Sequence, residues 1–76
     1  MIPEHEMVVL TCDLPEHGFK EGDFGTIVYV HKEAGYMVEF MTVDGDTVAV
    51  VTLETHQVRP VGPHEMRHAR AMEKQA

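Results

Sequence analysis

The amino-acid sequence predicts one small all-β domain followed by a short C-terminal helix. Apolar, β-branched residues recur in five short runs, and glycine, proline or acidic residues separate these runs. After Gly62 and Pro63 the composition changes, since residues 64–76 contain no β-branched residue but several good helix formers. The chain of 76 residues is too short for a second domain with its own core.

The five runs are short enough for strands, and the third shows the alternation of apolar and polar residues typical of a half-buried strand. Val38 and Phe40 carry this alternation. The strands are predicted at residues 7–11, 24–32, 36–43, 47–53 and 58–61.

The connections between the predicted strands differ in length. Residues 13–23 form a long polar loop, whereas residues 33–35 form a tight turn. Asp44-Gly45 is typical of a two-residue type I′ hairpin turn, in which both residues have positive φ. Residues 54–57 are long enough for one helical turn. Pro60 places the last strand at a sheet edge.

This order of strands and connections matches a small five-stranded SH3-like barrel, which would also hide most strand edges. The sequence therefore predicts an SH3-like β-barrel over residues 1–61 and a helical tail over residues 62–76, with Pro63 at the first helical position. The expected core consists of Val8 or Val9, Leu10, Val28, Val30, Val38, Phe40, Val51, Leu53 and Val58.

The charge is negative and unevenly distributed. The chain has 6 lysine or arginine residues against 13 acidic ones, and residues 1–61 alone have three against eleven, a balance of −8. An acidic body repels phosphate backbones, so we expect no nucleic-acid partner. No apolar run approaches the ~20 residues that span a bilayer, and the N-terminus does not resemble a signal peptide. We expect a cytoplasmic protein with no membrane partner.

Several segments together resemble a family of small bacterial proteins, the DUF4926 family. These segments are residues 8–11, 14–18, 22–28, 48–53 and 58–61, and the resemblance covers residues 5–61. The resemblance implies an SH3-like barrel and no established activity. Because some members sit beside genes for other small proteins, it also implies a partner-stabilising or antitoxin-like role. The tail from Gly62 onward lies outside the resemblance.

The sequence offers little catalytic chemistry. It contains no serine, and Cys12 is expected to be a small buried side chain at the end of the first strand. His64 and His68 lie in an H-E-x-x-H pattern, in which two histidines four residues apart share a helix face and can bind zinc. No third ligand accompanies them, so we expect no metal site, no cofactor and no enzymatic activity, with His64 and His68 as weak metal candidates.

The third and fourth strands are apolar on both faces, with Val48 and Val50 together on one face of the fourth, although a small barrel should be polar on its outer side. The additional apolar residues on the outer side predict a contact surface at Met37, Met41, Val43 and Val50. This surface would be covered by the C-terminal helix, by a second copy of the chain or by another protein. We therefore expect a non-enzymatic, antitoxin-like protein-interaction module. The alternatives are an accessory β-barrel subunit of an enzyme or a metal-binding protein, and a KOW-like RNA-binding module, whose glycine turn at residues 22–28 here has acidic neighbours.

Overall fold

The computed structural model describes residues 1–42 and 44–62 of the chain. Within these ranges the protein has five β-strands and one 3₁₀ turn, η1, at Thr55–Gln57. The predicted C-terminal helix and Val43 lie outside the described residues. The strands are β1 (Met7–Leu10), β2 (Phe24–His31), β3 (Gly35–Met41), β4 (Thr47–Leu53) and β5 (Val58–Pro60).

The five strands form one sheet in the order β4-β3-β2-β1-β5, and every neighbouring pair is antiparallel. The predicted all-β class is confirmed, and each predicted strand corresponds to an observed one. No helix in the described part of the chain is long and apolar enough to cross a membrane. Strand β1 lies between β2 and β5, so the two ends of the described chain meet in the sheet.

An irregularity in register changes which side chains of β2 face the core. In β2 the register with β3 shifts between Ile27 and Tyr29, so Val28 is the extra residue of a bulge. Since a shift by one residue moves side chains to the opposite face, Ile27 is fully buried and Val28 only half-buried. The expectation that Val28 belongs to the core is wrong for this reason.

The core lies on one face of the sheet and is centred on Phe40, which is 0 % exposed. Phe19 reaches this core from the long β1–β2 loop, and its ring stacks on that of Phe40 with centroids 4.3 Å apart. Val30 and Val51, both expected in the core, only pack against it and remain half-buried. The buried cluster consists of Val8, Leu10, Phe19, Ile27, Tyr36, Val38, Phe40, Leu53 and Val58.

The β1–β2 loop is ordered by its own carboxylates. The backbone N–H of Glu21 donates to Asp13 Oδ1 at 2.8 Å, and the N–H of Lys20 donates to Asp23 Oδ2 at 2.9 Å. Asp23 is only 2 % exposed. Because a buried carboxylate needs hydrogen-bond donors, these contacts determine the loop conformation that directs Phe19 inward.

The β3–β4 hairpin differs from the predicted type I′ turn. Gly45 has a φ of 92°, but Asp44 is not among the residues with positive φ. The backbone N–H of Thr42 donates to the carbonyl of Asp46, and that of Gly45 donates to the carbonyl of Thr42. Thr42 and Asp46 therefore form the bonded pair that closes the hairpin, and Gly45 in the left-handed region directly precedes Asp46.

Candidate protein-interaction surface

The sheet has a second face, opposite the core, on which strands β2, β3 and β4 present alternate side chains. On β3, Tyr36, Val38 and Phe40 are buried, so the residues between them point away from the core. Register places the outward residues of β2 and β4 beside them. We define the outer face as Tyr29, Met37, Glu39, Met41, Thr47, Val50 and Thr52.

The outer face carries most of the exposed large hydrophobic side chains of the described residues. Tyr29 is 50 % exposed, Val50 47 % and Met41 41 %, and within the described ranges the only other large hydrophobic residue classed as exposed is Met1. Met37 is half-buried and lies between Tyr29 on β2 and Thr52 on β4. The apolar side chains thus form one surface across three strands.

A carboxylate lies in the middle of this surface. Glu39 is opposite Val50 on β4, and its Oε2 accepts a hydrogen bond of 2.6 Å from the hydroxyl of Thr47. Since threonine and glutamate side chains alternate with the apolar ones, the face combines hydrophobic contacts with hydrogen-bonding groups. This mixture is usual for protein–protein interfaces that form between folded partners.

The sequence-predicted contact residues have different positions. Met37, Met41 and Val50 share the outer face, whereas Val43 lies outside the described residues. Val48, which sequence alternation places beside Val50, instead lies at the register shift between Phe40 and Met41 and packs against the core. The outer face is therefore less uniformly apolar than the sequence predicts.

Sequence reasoning misses four residues of the outer face. Tyr29 is missed because the bulge at Val28, which directs Tyr29 outward, leaves no signal in the hydrophobic pattern. Glu39, Thr47 and Thr52 are missed because polar residues on an exposed face are the normal case. The hydrogen bond between Thr47 and Glu39 depends on the register of β3 with β4 and cannot be read from residue types alone. The ring of Tyr29 also contacts His31 edge to face, with centroids 4.7 Å apart.

A second concave region lies at the N-terminal end of the described chain. A groove of about 580 Å³ is formed by residues of the N-terminal segment together with Pro60 and Val61. His5 in this segment has a φ of 72°, and its N–H donates to the carbonyl of Ile27 at 2.7 Å. The groove is open to solvent and holds one imidazole and one carboxylate, His5 and Glu6.

The described residues contain no cluster of three or more potential metal ligands. The weak candidates His64 and His68 lie outside the described residues. Cys12 is half-buried, and its Sγ is 3.7 Å from Nε2 of Gln57, which donates to it. The side chain of Gln57 is a neutral amide, so this contact supplies no base to the thiol.

The family comparison covers the part of the chain that forms this sheet. A family model described as a domain of unknown function, DUF4926, matches residues 4–60. The chain belongs to the DUF4926 family. The matched range includes all five strands of the DUF4926 sheet, and it confirms the resemblance found over residues 5–61. No curated protein and no solved structure matches the chain.

Proposed function

We propose that this DUF4926 protein is a non-enzymatic module that binds another protein through its outer face. The observation that carries the proposal is the grouping of exposed hydrophobic side chains. Of the four exposed large hydrophobic residues in the described part of the chain, Tyr29, Met41 and Val50 share this one face. Contiguous exposed apolar surface of this kind marks interaction sites in soluble domains.

The proposal includes an SH3-like barrel as the scaffold and the cytoplasm as the place of action. The strand order β4-β3-β2-β1-β5 supports the barrel, as do the long loop after β1 and the single 3₁₀ turn between β4 and β5. In such a scaffold the sheet curves so that one face encloses the core. The opposite face of β2–β4 then remains convex and available for a partner.

Charge supports a basic partner. Within residues 1–61 the cationic side chains are Lys20, Lys32 and Arg59, against eleven acidic residues. None of these three cations lies on β2, β3 or β4, and Glu39 lies in the outer face. In the antitoxin-like version of the proposal, the acidic module masks a basic protein, and complementary charge accelerates their association.

The test is affinity capture with a matched set of baits. The full chain, tagged at its N-terminus, is compared with a Met37→Thr/Val50→Thr variant that removes apolar contacts while keeping β-branched residues suited to strands. A Val61→Thr variant is the control, because this half-buried apolar residue lies in the N-terminal groove. We expect one stoichiometric basic protein with wild type and Val61→Thr, and its loss with the outer-face variant.

Two outcomes contradict the proposal. Capture that is lost with Val61→Thr but retained with Met37→Thr/Val50→Thr assigns binding to the N-terminal groove. Capture that is equal for all three baits assigns it to a surface outside both regions. Circular dichroism and urea unfolding of each bait establish that the variants are folded.

A further inference from the structure

The two edge strands of the described sheet differ in how they are protected. Strand β5 has three residues, Val58–Pro60, and contains Arg59 and Pro60, so its shortness, its charge and its proline all oppose further pairing. Strand β4, Thr47–Leu53, has seven residues with no charge and no proline. Within residues 1–42 and 44–62, β3 is the only strand that pairs with β4.

The hydrogen bonds of Ile27 on β2, together with the strand register, identify which backbone N–H and C=O groups of β4 point away from β3. Ile27 donates its N–H to Glu6 and accepts from His5, so its polar groups point away from β3. Its β3 neighbour Val38 must then direct its own N–H and C=O toward β4, where it pairs with Val51.

Val51 therefore directs its backbone N–H and C=O toward β3. Successive residues of an antiparallel strand direct these groups to opposite edges, so the residues before and after Val51 direct theirs away from β3. The N–H and C=O groups of Val50 and Thr52 therefore face the open side of β4. Both residues are exposed. Two donors and two acceptors lie there in the spacing that a further antiparallel strand requires.

The two ends of β4 are acidic. Asp44 and Asp46 precede the strand, and Glu54 follows it. All three carboxylates are on exposed residues. An extended segment that pairs with β4 would pass an uncharged, apolar stretch and meet carboxylates at each end.

We propose that the edge of β4 binds an extended segment of the partner protein, with apolar or threonine residues in its middle and basic residues at both ends. The segment adds a strand to the sheet through the backbone groups of Val50 and Thr52. The inference rests on the proposed function, since it specifies how the basic partner is held.

Charge also argues against a second copy of the chain as the occupant. Two antiparallel β4 strands paired about Val50 would place Asp46 of each copy beside Glu54 of the other. Like charges directly opposite destabilise a strand pair. Each chain in addition carries a net charge of −7.

Amide hydrogen exchange of the free, full-length protein is the first measurement. We expect the amides of Val50 and Thr52 to exchange at least about tenfold faster than that of Val51, which donates to β3. Slow exchange of Val50 and Thr52 in the monomer would mean that other residues of the chain already occupy this edge, and the proposal would be overturned.

Binding is then measured by fluorescence anisotropy with the synthetic peptide KKVTVTVKK, using EEVTVTVEE as the charge-reversed control. We expect KKVTVTVKK to bind, to protect the Val50 and Thr52 amides and to weaken as salt is raised. The acidic peptide should bind at least about tenfold more weakly. Equal binding of the two peptides, or no binding of either, contradicts the proposal.

Backbone variants separate edge binding from outer-face binding. Val50→Pro removes an N–H that makes no bond to β3, and Val50→Thr is the matched control that keeps it. We expect Val50→Pro to weaken KKVTVTVKK binding at least about tenfold and Val50→Thr to change it by less than about threefold. Thr52→Pro is a second backbone variant, in case Val50→Pro does not fold.

The outer-face variant Met37→Thr decides which of the two proposals fails. Met37 lies on β3 and leaves the β4 backbone unchanged, so peptide binding should persist. If Val50→Pro weakens capture of the partner no more than Val50→Thr does, while Met37→Thr abolishes it, the edge inference is wrong and the outer face stands. A dimer in sedimentation equilibrium that Val50→Pro dissociates assigns the edge to a second copy instead.

Discussion

Glu39 on β3 accepts a hydrogen bond of 2.6 Å from the hydroxyl of Thr47 on β4. Both residues belong to the outer face, and Glu39 is the only charged residue among its seven members. The contact joins β3 and β4, the strands that carry the exposed residues Met41 and Val50. It directs a negative charge into the middle of a surface that would otherwise bind by hydrophobic contact alone.

Neutralising this carboxylate should slow recognition of a basic partner. We expect Glu39→Gln to reduce the association rate of the captured partner about two- to tenfold at low salt, because complementary charge acts mainly on association. The difference from wild type should shrink as salt rises. Stopped-flow or surface-based kinetics across a salt series provides the measurement.

Thr47→Val is the matched control for this prediction. It removes the hydroxyl but leaves the charge of Glu39, so the association rate should remain within about twofold of wild type. Because the pair is exposed, the free energy of unfolding should change by about 1 kcal/mol or less. An association rate that is independent of salt for all three proteins would contradict a role for charge.

Gly35 at the start of β3 should tolerate no side chain. Its φ is 117°, and a Cβ there would collide with the backbone carbonyl oxygen of Leu53. Gly22 has a similar φ of 94°, but no atom lies within 4 Å of the position that a Cβ would take there. We expect Gly22→Ala to cost about 1–2 kcal/mol from backbone strain alone.

Gly35→Ala should cost about 1–3 kcal/mol more than Gly22→Ala, because the backbones of β3 and β4 must also move apart. Urea unfolding of the two variants measures this difference in free energy. Equal destabilisation would mean that the close approach of Gly35 to Leu53 contributes nothing beyond the conformation of the glycine.

Phe19 should contribute as much to stability as a residue within a strand. It is 3 % exposed and stacks on Phe40, although it belongs to a polar loop. We expect Phe19→Ala to lower the free energy of unfolding by about 3–5 kcal/mol, the usual cost of deleting a buried aromatic ring. This loss is a large fraction of the total free energy of unfolding of a small domain, which is about 5–15 kcal/mol.

His17, in the same loop, is the control residue for the stability cost of Phe19→Ala. Its ring stacks on the ring of Phe19 with centroids 6.1 Å apart, but the residue is half-buried. His17→Ala should cost about 1 kcal/mol or less. If the two alanine variants were equally stable in urea, the loop would not be part of the core.

His5 holds a backbone conformation that favours glycine. Its φ of 72° lies in the left-handed region, and its side chain is exposed. His5→Gly should raise the free energy of unfolding by about 0.5–1 kcal/mol, since relief of the left-handed conformation exceeds the entropy that glycine adds to the unfolded chain.

His5→Val should lower the free energy of unfolding, because β-branched residues are the least suited to positive φ. Thermal unfolding of both variants and of wild type measures whether each substitution stabilises or destabilises the protein. A stabilising valine would show that residue 5 does not keep this conformation in solution.

The strands can be predicted from sequence because they depend on local patterns. Strand β4 is predicted at residues 47–53, as observed, and the predicted ends of the other four lie within about two residues of the observed ones. The errors arise where tertiary contacts decide the outcome. The bulge at Val28 exchanges Val28 for Ile27 in the core, and the buried position of Phe19 depends on the hydrogen bonds of Asp13 and Asp23.

The outer face is predicted correctly at Met37 and Met41, where alternation along β3 continues without interruption, and at Val50 on β4. Tyr29 is missed because of the bulge on β2, and the predicted position of Val48 is wrong because of the register shift beside Phe40. The open backbone groups of β4 cannot be predicted from residue types, since they follow from which strand pairs with which.

The position of β1 between β2 and β5 has a consequence for how the protein folds. Strands β2, β3 and β4 are consecutive hairpins, whereas Leu10 of β1 pairs with Val58 of β5, far along the chain. Local pairs close quickly and distant pairs slowly, so the β2–β3–β4 meander should form before β5 docks. During synthesis, β1 leaves the ribosome before the other four described strands. One edge of this apolar strand therefore stays unpaired until β5 has been made.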